Sequence, residues 1–340
     1  MNRVTIITPC RNEINFIESF LDNISKQDLY NIDLELIVAD GLSDDGTVEL
    51  LRGKIYKKFK LIVIDNPERT TPCALNYCIR ASSNDIIIRM DVHTEYSLDY
   101  ISQCITVLNG TGADNVGGAW HAKGRGYLQT SIALAFQSPF SSGGAGSHSL
   151  RYEGEVDSVY LGCWKKSTLE RIGFFDEELV RNQDDELNLR IKRLGGKIWQ
   201  SPLIKSWYYP RASLSALFKQ YMQYGYWKVR VIQKHKLPAS FRHIVPGLFV
   251  SCLIIFGGLA FISSFALIIF FSLAIVYILG SALATLFTCK LPSNWRFIPI
   301  MPCVFAAYHF GYGYGFIRGA VDFLLLRKIT NSEFTKLTRG

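Results

Sequence analysis

The stretch "DIIIRMDVH", residues 85–93, decides how this chain is read. Ile86, Ile87, Ile88 and Met90 make a short apolar run of the kind that forms a strand buried on both faces. The run then meets Asp91 and His93, with Glu95 two residues further on. A strand can end in polar residues simply because it has reached solvent. A carboxylate and an imidazole two positions apart on an extended strand end also point the same way, and such a pair suits a divalent cation or a diphosphate. The rest of the chain has to choose between these readings.

Apolar runs at 4–8 ("VTIIT"), 34–39 ("LELIVA") and 61–64 ("LIVI") repeat the strand pattern, and they alternate with helical patterns such as "INFIESFLDNI" and "CALNYCIRAS". Strand–helix alternation predicts a doubly wound α/β sheet, in which ligands bind beyond the carboxyl ends of the strands. Three polar clusters fall there: "TPCRNE" at 8–13, "DGLSDDGT" at 40–47 and "DVHTE" at 91–95. Each has a structural reading alone, with Pro9 as a strand terminator and Ser43 to Thr47 as a turn and helix cap. Three on one sheet edge favour a site. Asp40 can accept from a uracil imide N–H or from ribose hydroxyls. Arg11 can approach a diphosphate, and Glu13 can hold sugar hydroxyls or orient Arg11. The imidazole of His93 moves the expected cation toward Mn²⁺ without excluding Mg²⁺.

A fourth cluster, "RNQDDELNLRIKRLGG" at 181–196, reads as a helix with Leu187, Ile191 and Leu194 on one face and a Gly195-Gly196 stop. Asp184 and Asp185 stand at its N-terminus, where capping and the helix dipole attract carboxylates for structural reasons. The segment "SSGGAGSHS", 141–149, reads either as a mobile loop over the acceptor side or as an ordinary surface loop.

The 340 residues are uneven, with 49% hydrophobic content concentrated late in the chain. From Ile244 to Cys289 there is no charged residue. Roughly 20 apolar residues cross a bilayer as a helix, so this run predicts two spans, near 244–261 and 266–287. The apolar stretch 297–326 contains His309, Arg318 and Asp322. A span there would leave Arg327, Lys328, Lys336 and Arg339 on the wrong side for the positive-inside rule, so an interfacial or re-entrant segment is expected. The net charge of +8 has its source between Lys205 and His243, where Lys and Arg are interleaved with Trp and Tyr and no acid occurs. Beside an uncharged run this suits a cytoplasmic membrane collar, and nucleic acid is not expected as a partner. "VTIIT" follows Met1 so closely that no signal peptide is expected. The eight cysteines lack metal or disulfide spacing, which suits reduced thiols. The expected organisation is a catalytic domain at 1–235 and a membrane segment at 236–340.

Together the clusters resemble family 2 glycosyltransferases of the GT-A fold, and most closely those of succinoglycan-type exopolysaccharide biosynthesis. "TPCRNE" and "ADGLSDDGT" resemble the nucleotide-binding segments, "NPERTTPCALN" the donor-side segment, and "IIIRMDVH" the metal motif. "VYLGCWKKSTLERIGFFDEEL" resembles the acceptor-side loop and helix, and "NQDDELNLR" the motif that carries the base. The resemblance implies donor contacts from Pro9, Arg11, Glu13, Asp40, Asn76 and Asp91, a metal on Asp91 and His93, and acceptor-side roles for Gly162, Trp164 and Trp227. It implies Asp184 as catalytic base, with Asp185 as the alternative. Gly41, His93 and Gln183 stand where the family pattern usually has acids. "QYMQYGYWK" lacks the Arg of the processive members, which favours single-sugar addition. The implied activity is inverting transfer from a UDP-sugar to a polyprenyl-diphosphate-linked sugar at a membrane lipid surface, in bacterial exopolysaccharide, capsule or O-antigen assembly. The setting implied is a bacterial inner membrane with the catalytic domain cytoplasmic. The alternatives are transfer to a polyprenyl phosphate itself, and a membrane-anchored UDP-sugar-binding protein with weak catalysis.

Overall fold

The computed structural model describes residues 1–238, 240–328 and 332–335; Lys336 and Arg339, weighed above, lie outside the described residues. The strands are β1 (Asn2–Cys10), β2 (Ile32–Asp40), β3 (Lys60–Asp65), β4 (Ile86–Arg89), β5 (Glu95–Tyr96), β6 (Asn115–Gly118), β7 (His121–Ala122), β8 (Gly154–Glu155), β9 (Tyr160–Lys165), β10 (Ile198–Gln200) and β11 (Ser206–Tyr208). The helices begin with α1 (Ile14–Ser25), α2 (Thr47–Arg52), α3 (Thr71–Ala81), α4 (Tyr100–Thr111), α5 (Gly126–Phe136) and α6 (Pro139–Ser142). They continue with α7 (Lys166–Ile172), α8 (Gln183–Arg193), α9 (Leu214–His235), α10 (Val245–Leu259), α11 (Ser264–Thr288) and α12 (Met301–Gly319).

An 8-stranded sheet in the order β3-β2-β1-β4-β9-β6-β10-β8 forms the frame. The first four positions run parallel, and β9 enters antiparallel between β4 and β6. Strands covered on both faces read as continuous apolar runs. In β1, Val4 and Ile6 face one core with Phe20 and Leu21 of α1 and Ile101 and Leu108 of α4. Ile7 faces the other, with Leu75 and Ile79 of α3 and Leu187 and Ile191 of α8. Pro9 does not terminate β1, which continues to Cys10 with Pro9 opposite Ala39.

The chain divides into two compact units. One comprises 1–121 and 146–208, and the other 122–145 and 209–340. The expected boundary at 235 therefore falls inside the second unit, which takes α9 together with α5 and α6. A second, three-stranded sheet has the order β5-β11-β7, with β5 pairing antiparallel with β11. The glycine-rich 141–149 segment contributes to both units, and its second part is held in place: buried Gln200 donates through Nε2 to the carbonyls of Gly146, Ser149 and Tyr152 at 3.3, 2.9 and 3.3 Å.

In the second unit, Phe241–Leu259 and Ser264–Thr288 are long and apolar enough to cross a membrane. They are not the core helices of a water-soluble bundle, because Ile254 is 61% exposed, Ile268 63% and Val276 68%. The stretch 297–326 instead supplies α12 and a π-helical turn at Ala320–Leu325. Helix α12 lies parallel to α9, with Gly311, Gly315 and Gly319 against the carbonyls of Phe218, Met222 and Tyr226 in turn. A Cβ on Gly315 would collide with the Met222 oxygen, and one on Gly225 with the Tyr312 oxygen. Small residues every four positions allow such backbone contact between helices. Gly313, on another face of α12, accommodates Val250 of α10.

Candidate active site

The carboxyl edge of the sheet is built by three loops. After β1 and β2 the chain is cross-tied: Asn12 N donates to Ser43 Oγ at 2.8 Å, Asn12 Nδ2 to Asp44 Oδ1 at 2.9 Å, and Glu13 N to Thr47 Oγ1 at 3.0 Å. Asn12 and Leu42 adopt left-handed backbone (φ 53° and 56°), which folds the two loops together. Asp40 is buried at the end of β2, accepting from Ser43 N at 2.8 Å and from Ser43 Oγ at 2.5 Å. The Arg11 stem passes over Gly41, where an added Cβ would stand 3.1 Å from Arg11 Cδ. The missing side chain at 41 thus makes room for Arg11.

The third loop follows β4, and here the structure corrects an assumption. Asp91 to Thr94 form a turn, closed by Thr94 N donating to Asp91 O at 3.2 Å, so Asp91 and His93 are not neighbours on an extended strand end. Asp91 is held by Arg89, whose Nε donates to Oδ1 at 2.9 Å and Nη2 to Oδ2 at 3.0 Å. His93 Nδ1 faces Glu13 Oε1 at 3.3 Å. The Tyr96 hydroxyl pins the turn, accepting from Asp91 N at 2.6 Å and donating to Asp91 O at 3.0 Å. Thr94 Oγ1 meets the Tyr160 hydroxyl at 2.8 Å.

Helix α8 completes the group. Asn182, with φ 62°, turns the chain into the helix, and Leu187 and Ile191 bury its inner face. Leu194, expected on that face, is 59% exposed at the helix end. Asp184 in the first turn accepts from Arg89 Nη1 at 2.6 Å. One guanidinium therefore holds two carboxylates, with side-chain exposures of 7% for Arg89, 15% for Asp91 and 37% for Asp184. Burial raises the pKa of Asp184, Arg89 opposes that shift, and the negative charges of Asp91 and Asp185 reinforce it. For Arg89 the two carboxylates outweigh its own burial, so it stays protonated.

Arg89 is the residue that motif reading passed over. Its signal was present, since a charge inside an otherwise apolar buried strand needs anionic partners. Other expected residues lie elsewhere. Asn76 is buried in α3, where Nδ2 donates to Phe175 O and Glu177 Oε1 and Oδ1 accepts from Phe175 N, all at 2.8–2.9 Å. Its amide shapes the loop after α7. Trp164 is a core residue, 2% exposed and edge-on to Phe175. Gly162, at φ 118°, passes beneath the Trp164 ring. Trp227, in the second unit, is 1% exposed and donates through Nε1 to Phe334 O at 3.0 Å.

The description "Glycosyl transferase family 2" fits residues 5–164, which run from β1 to Trp164 and include both the β1–β2 loops and the Arg89–Asp91 pair. The chain carries a family 2 glycosyltransferase domain. This glycosyltransferase is 29% identical to the succinoglycan biosynthesis protein ExoA of Rhizobium meliloti (strain 1021) over 243 residues, 71% of this chain and 73% of that one. It is 26% identical over 333 residues, 94% of this chain and 98% of the relative, to a Methanococcus voltae enzyme. That relative is named as a dolichyl N-acetyl-alpha-D-glucosaminyl phosphate 3-beta-D-2,3-diacetamido-2,3-dideoxy-beta-D-glucuronosyltransferase. Its fold matches that of the mannosyltransferase PcManGT of Pyrobaculum calidifontis, solved with GDP-Man and Mn²⁺, at a TM-score of 0.60 and 19% identity, covering 91% of this chain and 86% of that one. The glycosyltransferase thus has the GT-A architecture expected from its sequence.

Proposed function

We propose that this glycosyltransferase moves one sugar from a UDP-sugar to a lipid-linked sugar acceptor, with inversion at the anomeric carbon. The observation that carries the reading is the joining of Asp91 and Asp184 over Arg89 at the carboxyl edge of the sheet. Asp40 and Arg11 receive the nucleotide, and Asp91 faces its diphosphate. Asp184 takes the proton of the acceptor hydroxyl as that oxygen attacks the anomeric carbon and the bond to the diphosphate breaks. A base whose pKa is raised by burial holds that proton better than an ordinary carboxylate does.

A divalent cation, Mn²⁺ or Mg²⁺, would be held by Asp91 together with the donor's own diphosphate, because among the described residues no three His, Cys, Asp or Glu side chains gather to hold one alone. Each Asp91 oxygen accepts one Arg89 N–H and keeps a further lone pair for the cation, whereas His93 Nδ1 is engaged with Glu13. When bound, the cation neutralises charge on the departing nucleoside diphosphate.

The acceptor class is supported by the two exposed apolar helices and by the Methanococcus relative, whose name specifies a dolichyl-phosphate-linked sugar. The helices would keep the chain where such acceptors reside, and the basic 205–243 segment would face the cytoplasm. The bacterial inner membrane is the setting proposed. The test is incubation of the full chain in detergent with a panel of UDP- and GDP-sugars, Mn²⁺ or Mg²⁺, and bacterial lipid extract, following nucleotide release and labelled lipid. Release of UDP that requires both cation and lipid is expected. GDP release would change the donor, product from sugar-free polyprenyl phosphate would change the acceptor, and no transfer from any donor would sink the reading.

A further inference from the structure

We propose that Arg89 is a positioning residue that aims the base: it fixes Asp184 through the same guanidinium plane that grips Asp91, so the donor side and the acceptor side of the site are set together. The proposal rests on Asp184 as base and Asp91 as donor-side carboxylate.

The geometry is specific to arginine. Nε and Nη2 lie along one edge of the guanidinium and take both oxygens of Asp91, while Nη1 points away to Asp184, 95 residues distant in sequence. A planar fork fixes the angle between those directions, and an ammonium with free rotors does not. The neighbouring β4 positions, Ile87 and Ile88, are fully buried in apolar cores. A charge at the end of such a strand is costly to bury, and an ion pair there is weak evidence for stability. The arrangement makes better sense as alignment. Asp91 sits on a turn pinned by Tyr96, and Asp184 on the first turn of a helix packed against the other core. Arg89 is the cation that brings these two like-charged groups onto one plane.

One consequence follows for the reaction. Loss of the fork leaves the base present but unaimed, and misplacement of about 1 Å can cost on the order of 10²-fold in rate.

The test uses the full-length chain in detergent, with the sugar nucleotide and lipid extract in which the wild type transfers labelled sugar, and calorimetric titration of UDP with Mn²⁺. R89K keeps the charge but cannot span both carboxylates. Expected are a fall of about 10² in turnover at saturating donor, UDP affinity changed far less, and partial recovery of R89A by added methylguanidinium. D184N with R89K should turn over no more slowly than D184N alone, because Arg89 acts through Asp184. Multiplying losses in the double variant would overturn the proposal, as would full turnover of R89K at saturating donor. Should R89A not fold, R89K and the double variant decide the matter. A wild type that transfers nothing defeats the underlying reading and this one with it, whereas an active wild type matched by R89K defeats only the positioning role.

Discussion

Toward the amino end of the sheet, buried Glu35 accepts from Thr5 Oγ1 at 2.6 Å and from Ser83 N at 3.0 Å. At the carboxyl end, Asp184 faces the Arg89 guanidinium at 2.6 Å and remains 37% exposed. Both carboxylates serve the same α/β sheet, yet their surroundings differ in kind. Glu35 meets neutral donors from one neighbouring strand and one loop, so its oxygens are used in closing the structure. Asp184 meets a shared cation, has other carboxylates nearby, and keeps an open side. Glu35, at the end of the sheet away from the site and with its bonds all internal, belongs to stability. A carboxylate that is desolvated, crowded by like charge and still reachable is held ready for a proton.

The sharpest way to break that contrast is Asp184→Asn. Turnover should fall about 10²–10⁴-fold, the usual worth of a general base, with UDP affinity little changed; wild-type turnover would transfer the role to Asp185. Next in size is Glu35→Ala, which strands Ser83 N and part of the Thr5 network. It should cost about 1–3 kcal/mol of folding stability while turnover of the folded enzyme stays at the wild-type level. A loss of activity at equal folded fraction would erase the distinction between the two ends. The smallest effect concerns stability and pH. The pKa of Asp184 is raised in the folded state above its ordinary 3.8, so the folded protein binds that proton more tightly than the unfolded chain. Its ionisation therefore costs stability at neutral pH, and D184N should melt slightly higher than wild type there. The difference should vanish below pH 3.8, where the carboxyl is protonated in both states. For the same reason the acid limb of turnover should lie above the ordinary aspartate range; a limb at 3.8 or below would contradict the burial argument.

Much of this was legible in the sequence because strands buried on both faces leave an unbroken apolar signature. "VTIIT" and "LELIVA" fall on buried strands, "IIIRM" on β4 with Met90 just past its end, and "LIVI" on the half-buried edge strand β3, and the three polar clusters do follow the carboxyl ends of β1, β2 and β4. What stayed hidden depends on contacts distant in sequence. The antiparallel entry of β9 carries no periodicity of its own. The link from Arg89 to Asp184 spans 95 residues. Asn76 looked like a donor contact because its motif does, but only the fold reveals that Phe175 and Glu177 occupy its amide. The pairing of Asp91 with His93 assumed an extended chain, and a hydrogen-bonded turn took its place.

The repeat "FGYGYGF" was equally opaque without its partner helix. Glycines at 311, 315 and 319 meet successive turns of α9, so α12 resembles a rack whose teeth repeat about every 6 Å. A rack alone would engage equally well one tooth along. Phe323, four residues past the last glycine, blocks a slip in one direction, because it would have to occupy the place of Gly319 against Tyr226. Gly225 is the single notch of α9 that receives the Tyr312 carbonyl, and a slip either way would carry that carbonyl onto a residue with a side chain. The two helices therefore have one permitted register, set by where a Cβ is missing.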